Sequence, residues 1–202
     1  MRGGAAPLGA QGGPGVTRPA VTRPVVTRPV VTRVLGIDPG LTTTGFAVVE
    51  RSAGKLRAVI HGVIRTRKEQ PVAERLLSLR LQLIDVIAAH SPQGLSLERV
   101  FFNANVRTAI SVGQASGVIL ATAAEHALVV THHTPTEVKS SVAGYGAADK
   151  RQVQDMVVRL LGMSEPPKPA DAADACALAI CMLNSSGLNR AIQEALSAPP
   201  HN

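Results

Sequence analysis

Val34-Leu-Gly-Ile-Asp-Pro-Gly-Leu-Thr-Thr-Thr-Gly45 is the stretch whose reading decides the fold. An apolar run of Val34, Leu35 and Ile37 ends in an acid, Asp38, and Pro39-Gly40 follows at once. A second apolar run, Phe46-Ala-Val-Val49, resumes after Gly45, so the segment reads as two strands of a hairpin around a glycine-punctuated turn. Glycines at 36, 40 and 45 leave room for another backbone or a phosphate, because no Cβ stands in the way. Asp38 thus sits where a buried strand emerges. Taken alone, it reads equally as an ordinary turn aspartate bonded to nearby amides.

Working outward, the first strand covers about 34–38, the second about 45–50, and a third, about 56–64, follows the turn at Ser52-Ala53-Gly54. Pro71 opens an amphipathic helix to about Ala89, with Val72, Leu76, Leu79, Leu83, Val86 and Ile87 on one stripe and Glu74, Arg75, Arg80, Gln82 and Asp85 off it. Gly94 restarts the chain as a strand, Leu95-Ser-Leu-Glu98. Three hairpin-like strands, a helix and a further strand predict a mixed α/β sheet. Glu98 is a second acid at a strand end, although a solvated glutamate is the plainer reading of any one such residue.

From Asn105 to Ala124 the sequence predicts a helix with hardly a charge after Arg107. Its small residues, among them Ala109, Gly113, Ala115, Gly117 and Ala121, predict burial on both sides, by the sheet and by a second subunit. Ala127-Leu-Val-Val130 is the fifth strand, and His132-His133 fall in a Thr/His/Pro turn as loop residues, not as a metal pair. Asp149 with Gln152 three positions on resembles a capping box, opening a helix with the stripe Val153, Met156, Val157, Leu160. Lys150 and Arg151 then occupy a first turn, where the helix dipole disfavours cations by about a few tenths of a kcal/mol. They are either solvated or held there by a bound anion such as a phosphate.

Pro166-Pro-Lys-Pro169 closes that helix, and Asp171-Ala-Ala-Asp174 begins the last. The two acids are i,i+3 and share one face of a helix that is otherwise apolar all round. Asp171 alone would be an unremarkable N-cap, but a buried, unpartnered Asp174 would cost several kcal/mol.

Composition bounds the rest. The 202 residues hold one Tyr, three Phe and no Trp, so aliphatic side chains must fill a single core. Cys176 and Cys181 lie in an apolar run without metal-ligand spacing and read as buried thiols in a reducing, cytoplasmic setting. No run approaches the length of a membrane span and no signal-peptide core is visible. The formal charge is +7, but residues 1–33 carry five of the 21 basic residues and no acid. The remainder is sixteen bases against fourteen acids, and if four acids are neutralised by metal ions the surface suits a polyanion. Residues 1–15 are rich in Gly, Ala and Pro, and Val-Thr-Arg then recurs from 16 with a period of five. We therefore expect 1–32 to be a disordered or untranslated extension, with a true start near Val31 favoured over a basic nucleic-acid-binding tail. A folded domain over 33–184 and a tail over 185–202 complete the expected organisation.

Two strand-end acids and two on the last helix suit Mg2+ or Mn2+, and a pair of ions could align a water and the leaving oxygen of a phosphodiester. Gly36-Ile-Asp-Pro-Gly40, Glu98-Arg-Val-Phe101, Gly113-Gln-Ala115, Glu137-Val-Lys139, Gly146-Ala-Ala-Asp-Lys150 and Pro169-Ala-Asp-Ala-Ala-Asp-Ala175 occur in one order and spacing. In these six motifs the chain resembles the RuvC family of Holliday-junction resolvases over about 33–184. The resemblance implies an RNase H-like α/β fold with a five-stranded mixed sheet flanked by helices, and a homodimeric endonuclease that resolves four-way DNA junctions and leaves 5′-phosphate ends. It implies that Asp38, Glu98, Asp171 and Asp174 are catalytic and hold two divalent ions, Mg2+ or Mn2+. It further implies that Phe101 pushes into the junction and that Lys139 and Lys150, with Arg151 beside them, contact DNA. The implied partners are a four-way junction and the RuvA and RuvB branch-migration proteins. Ser116 and Met182 depart from the family's usual Arg or Ala and His. An actin-like or sugar-kinase-like ATPase also uses Asp-x-Gly-x-x-x-x-Gly (Asp38, Gly40, Gly45) but needs two domains. A non-catalytic junction-binding protein would leave four acids facing DNA phosphates without a purpose.

Overall fold

The computed structural model describes residues 31–99 and 106–197. Its elements in chain order are β1 (Arg33–Asp38), β2 (Thr43–Ser52), β3 (Lys55–Arg65), α1 (Val72–His90), β4 (Gly94–Glu98), α2 (Val106–Glu125), β5 (Val129–His133), α3 (Pro135–Ala143), α4 (Lys150–Leu161) and α5 (Ala170–Ser197). The five strands form one sheet in the order β3-β2-β1-β4-β5. The β1–β2 and β2–β3 pairs are antiparallel, as short hairpin turns require, whereas β1–β4 and β4–β5 are parallel and are joined through helices. The expected mixed sheet is therefore present.

Strand alternation divides the core into two layers. Leu35, Ile37, Phe46, Val48, Leu95 and Leu97 face α1 and α2 through Leu79, Leu83, Ile87, Ala115, Ile119 and Ala123. Val34, Ala47 and Val49 face α3, α4 and α5 through Val142, Val153, Val157, Ala175, Ala179 and Ile180. Parity then places Gly36 and Asp38 on the α5 side of β1, along with Val34.

Glycine is required at two points of that contact. A Cβ at Gly36 would overlap the Ala175 carbonyl, and one at Gly45 would overlap the Asp171 carbonyl, so α5 lies with its backbone directly on β1 and β2. Ser96, fully buried on β4 and level with Gly36 in the register, ties the same helix by donating from Oγ to the Leu178 carbonyl at 2.7 Å. Ala172, Ala175, Cys176 and Ala179 keep that face of α5 thin enough for the approach.

Two sequence expectations need correction. The fifth strand begins at Val129 and carries His132 and His133 within it, not in a turn. Ala127 takes a left-handed conformation (φ 55°) and its neighbour Leu128 donates to the Ala123 carbonyl, so residues assigned to the strand's start instead close α2. Helix α3 was not anticipated, although Thr134, Pro135 and Glu137 spell its start. The Thr134 hydroxyl accepts from the Glu137 amide, and the Glu137 carboxylate accepts from the Thr134 amide at 2.7 Å. Helix α5 runs on through Ser185 to Ser197. The capping box at Asp149 and Gln152 is as expected. Cys176 and Cys181 are free and buried, and burial pushes the Cys176 thiol up to about 12. No helix among the described residues is long and apolar enough to cross a membrane.

Gly36→Ala should cost about 1–3 kcal/mol or more in urea unfolding, because the added methyl meets backbone that no rotamer change can move. A variant as stable as the parent would show that α5 does not seat on β1 as described.

Candidate active site

The carboxylates come together because the sheet and α5 deliver them to one corner. Gly36 pairs with Ser96 and Ile37 with Leu97 in the parallel β1–β4 ladder. Asp38 and Glu98 lie one residue further on, at the C-terminal ends of neighbouring strands and on the face that Ser96 and Gly36 turn to α5. Asp171 sits over Gly45, which is the register partner of Asp38 on β2. Asp174 follows by one turn of helix.

Electrostatics report the convergence. Asp38 has its carboxyl raised to about 7, first by burial and then by the negative charges of Asp174, Glu98 and Asp171, with Lys150 acting in the opposite sense. Burial and then Asp174 also raise the Glu98 carboxyl, against Lys150. Like charges held in a poorly solvated corner each favour the protonated form of the others. Among the described residues, no three acidic, histidine or cysteine side chains close into a ready metal-ligand group. Lys150 instead answers part of the charge, donating from Nζ to Asp174 Oδ2 at 2.7 Å, and that bond holds the ammonium pKa above its usual value.

Five residues singled out from the sequence are thus brought to one place: Asp38, Glu98, Asp171, Asp174 and Lys150. Lys139, half-buried on α3, and Arg151, exposed in the first turn of α4, are not among the charges that shift Asp38 or Glu98. Phe101 lies outside the described residues.

The turn after Asp38 is pinned from within. Thr44, 1% exposed, donates from Oγ1 to the Gly40 carbonyl at 2.6 Å. Arg75, read from the sequence only as a polar residue off the α1 stripe, reaches across to this turn and donates to Thr42 Oγ1 at 2.8 Å and Thr66 Oγ1 at 3.0 Å. Periodicity says which residues leave the core but not what they meet, so only the two threonines flanking the β2–β3 hairpin hinted at it.

Comparison with known proteins agrees with this arrangement. The family model described as Crossover junction endodeoxyribonuclease RuvC matches residues 34–182. The protein of that name from Leifsonia xyli subsp. xyli is 50% identical over 156 residues, covering 77% of this chain and 75% of its own. Its counterpart from Halothermothrix orenii is 45% identical over 157 residues, covering 78% and 95%. Among solved structures, T. thermophilus RuvC in complex with Holliday junction substrate superposes with a TM-score of 0.75 at 33% identity, over 78% of this chain and 96% of that one. The yeast mitochondrial Holliday junction resolvase shares the fold, with a TM-score of 0.61 at 15% identity over 82% of this chain and 83% of its own. The RNase H-like class expected from the motifs is therefore the class observed. With one family matched across both strand-end acids and both acids of α5, this chain belongs to the RuvC family of crossover junction endodeoxyribonucleases.

Proposed function

We propose that this chain resolves four-way DNA junctions by paired hydrolysis of phosphodiester bonds, with Asp38, Glu98, Asp171 and Asp174 as its catalytic carboxylates. The observation that carries the assignment is that β1, β4 and α5 bring Asp38, Glu98, Asp171 and Asp174 to one corner, where burial first and the neighbouring acids second raise the Asp38 carboxyl. Hard oxygen donors in excess of local cations fit Mg2+ or Mn2+, and two ions would account for four carboxylates. A bound divalent cation supplies an activated water and stabilises charge on the leaving oxygen. Asp38 and Glu98, anchored on strands, and Asp171 and Asp174, anchored on α5, fix where that charge sits. The products expected are 5′-phosphate and 3′-hydroxyl ends.

Lys150 pairs with Asp174, and its ammonium is the proposed phosphate contact at this corner, which a cation held by the carboxylates would leave free for DNA. Lys139, Arg151 and Phe101 complete the proposed DNA contacts, Phe101 by stacking on a base. RuvA and RuvB are the proposed partners, in the cytoplasm. The ATPase alternative lacks support in the matched family, and a purely binding role leaves the carboxylate corner unexplained.

Two symmetric cuts require two chains about a two-fold axis. Helix α2 supplies a surface for this. Ala115, Ile119 and Ala123 face the core, while Ile110, Gly113, Gly117 and Ala121 face outward, with open space above both glycines. Leu77 and Leu81 of α1 extend the exposed apolar area. Small residues at i,i+4 permit close helix approach, so a homodimer through α2 is the proposed assembly.

A labelled four-way junction, incubated with and without Mg2+, is the direct test: nicking only with the metal is expected. Asp38→Asn, Glu98→Gln, Asp171→Asn and Asp174→Asn should each lower cleavage about 100-fold or more while leaving binding intact. Wild-type cleavage by any one of them removes that residue from the site.

The Asp38 shift also predicts a pH dependence. The folded chain keeps a proton up to about pH 7 that the unfolded chain releases near pH 4. The native state binds more protons in that window, so stability without metal falls as pH rises through it. Thermal unfolding from pH 5 to 8 should show Asp38→Asn gaining on the parent as pH rises, and Mg2+ closing the gap. A gap independent of pH would contradict the crowding inferred here.

Ile110 is 58% exposed, whereas Val118 is half-buried, so Ile110→Glu is the cleaner probe of assembly. Sedimentation should find it a folded monomer that has lost paired incision. A folded dimer would place the interface elsewhere.

A further inference from the structure

A cavity of about 440 Å3 opens between the turn that follows Asp38, α1 and α2, lined by Gly40, Thr42, Thr43, Arg75 and Ser111. Arg75 sets its chemistry. Its Nε and Nη2 are each held by a threonine hydroxyl, Thr66 Oγ1 and Thr42 Oγ1, which fixes the guanidinium plane and leaves donors of its fork for another acceptor. Among the described residues Arg75 is in no ion pair. The end of β3 and the chain that follows it are cationic on balance, with Arg65, Arg67 and Lys68 against Glu69. Arg65, the register partner of Thr43, and Arg67 and Lys68 beyond Thr66 are exposed, and none is in an ion pair among the described residues.

A fixed guanidinium with hydroxyls around it and a net positive charge on the chain nearby is the chemistry of a phosphate site, because the planar fork matches phosphate oxygens in pairs. Its place in the chain says which phosphate. The turn runs directly from Asp38, and Thr43 lies two residues along β2 from Gly45, the Asp38 partner. Two strand residues span about 7 Å. At a rise of about 3.4 Å per nucleotide along one strand, that separation places the turn within about two nucleotides of the phosphate at Asp38. The carboxylate corner repels a DNA strand, so cations flanking it are needed to keep the strand in place.

We propose that this cavity binds a backbone phosphate within about two nucleotides of the one cut at Asp38, with Arg75 as the principal ligand, Thr42 and Thr43 beside it, and Arg65, Arg67 and Lys68 as cations at the end of β3 and on the chain that follows it. The inference rests on the reading of the chain as a junction nuclease and adds a subsite to it. Arg75 here is a binding residue for the strand being cut.

The test measures junction affinity against salt concentration for the full chain carrying Asp38→Asn, so that no cleavage intervenes. Adding Arg75→Gln should weaken binding about tenfold at physiological salt and lower the slope of log affinity against log salt by about 0.9. Adding Arg75→Lys should retain the slope while losing part of the affinity, since charge remains and the fork does not. An unchanged slope in a folded Arg75→Gln variant overturns the proposal. If that variant does not fold, the exposed pair Arg65→Gln/Arg67→Gln decides in its place, with a reduced slope expected and an unchanged one fatal. Inorganic phosphate, matched against chloride for ionic strength, separates the sources. If it raises the melting temperature of the parent but not of Arg75→Gln while the junction slopes agree, the cavity is a free-anion site and the proposal fails. Failure of the parent to bind the junction at all would instead remove the reading on which the subsite depends.

Discussion

The seating of α5 on the glycines of β1 and β2 is the contact from which the rest of the molecule follows. Helices ordinarily stand off a sheet by the thickness of two layers of side chains, but at Gly36 and Gly45 the helix backbone takes the place a Cβ would fill. Ala175 and Ala179 are small enough to complete the approach, and the Ser96 hydroxyl fixes its register along the helix by binding the Leu178 carbonyl. Asp171 and Asp174 inherit their position from that register, while Asp38 and Glu98 inherit theirs from strand parity. Four acids from three elements therefore meet without any loop having to place them, which is the arrangement that precise positioning of charge demands.

The same seating makes the corner electrostatically unfavourable. Burial and three neighbouring acids raise the Asp38 carboxyl, and among the described residues Lys150 alone acts on it in the opposite sense. A fold selected for stability alone would place apolar residues there. The two hydrophobic layers, with Leu35, Ile37, Leu79, Leu83, Leu95 and Ile119 fully buried on one side and the alanine-rich face of α5 on the other, must offset it. Local conflict tolerated by a well-packed surround is characteristic of sites where function, and not folding, chose the residues.

How much of this was legible in the sequence differs by element. Strand parity around Gly-Ile-Asp and Leu-Ser-Leu-Glu was readable, because buried strands write their faces as a period of two, and so the acids at 38 and 98 were found with their elements. The i,i+3 spacing of 171 and 174 and the capping box at Asp149 were local signals of the same kind. Helix α3 was missed although Thr134-Pro135-Thr136-Glu137 is a sound start signal, since its nine residues carry too short a stripe to show periodicity. The shift of β5 turned on the left-handed Ala127, which nothing in an alanine's identity announces. Least legible was the orientation of α2, because small residues on all its faces leave periodicity nothing to measure. Packing resolves it, burying Ala115, Ile119 and Ala123 and turning Ile110 outward.

That orientation puts the outward face of α2 and the acids on opposite sides of the sheet. Helices α1 and α2 lie on one layer, joined to each other through the Arg80–Glu125 ion pair, and the acids lie on the layer of α5. In a dimer joined through the outward face of α2, each carboxylate corner would be connected to the two-fold axis through β1 and β4, which are packed on both faces, and not through a flexible connection. The separation of two cuts would then be fixed by layer packing. Fully buried strands resist bending because any displacement opens voids on one face and clashes on the other. On the proposed assembly, a substitution on the outer face of α2 would uncouple pairing from chemistry, while one at Gly36 would disturb the corner through the helix that carries two of the acids.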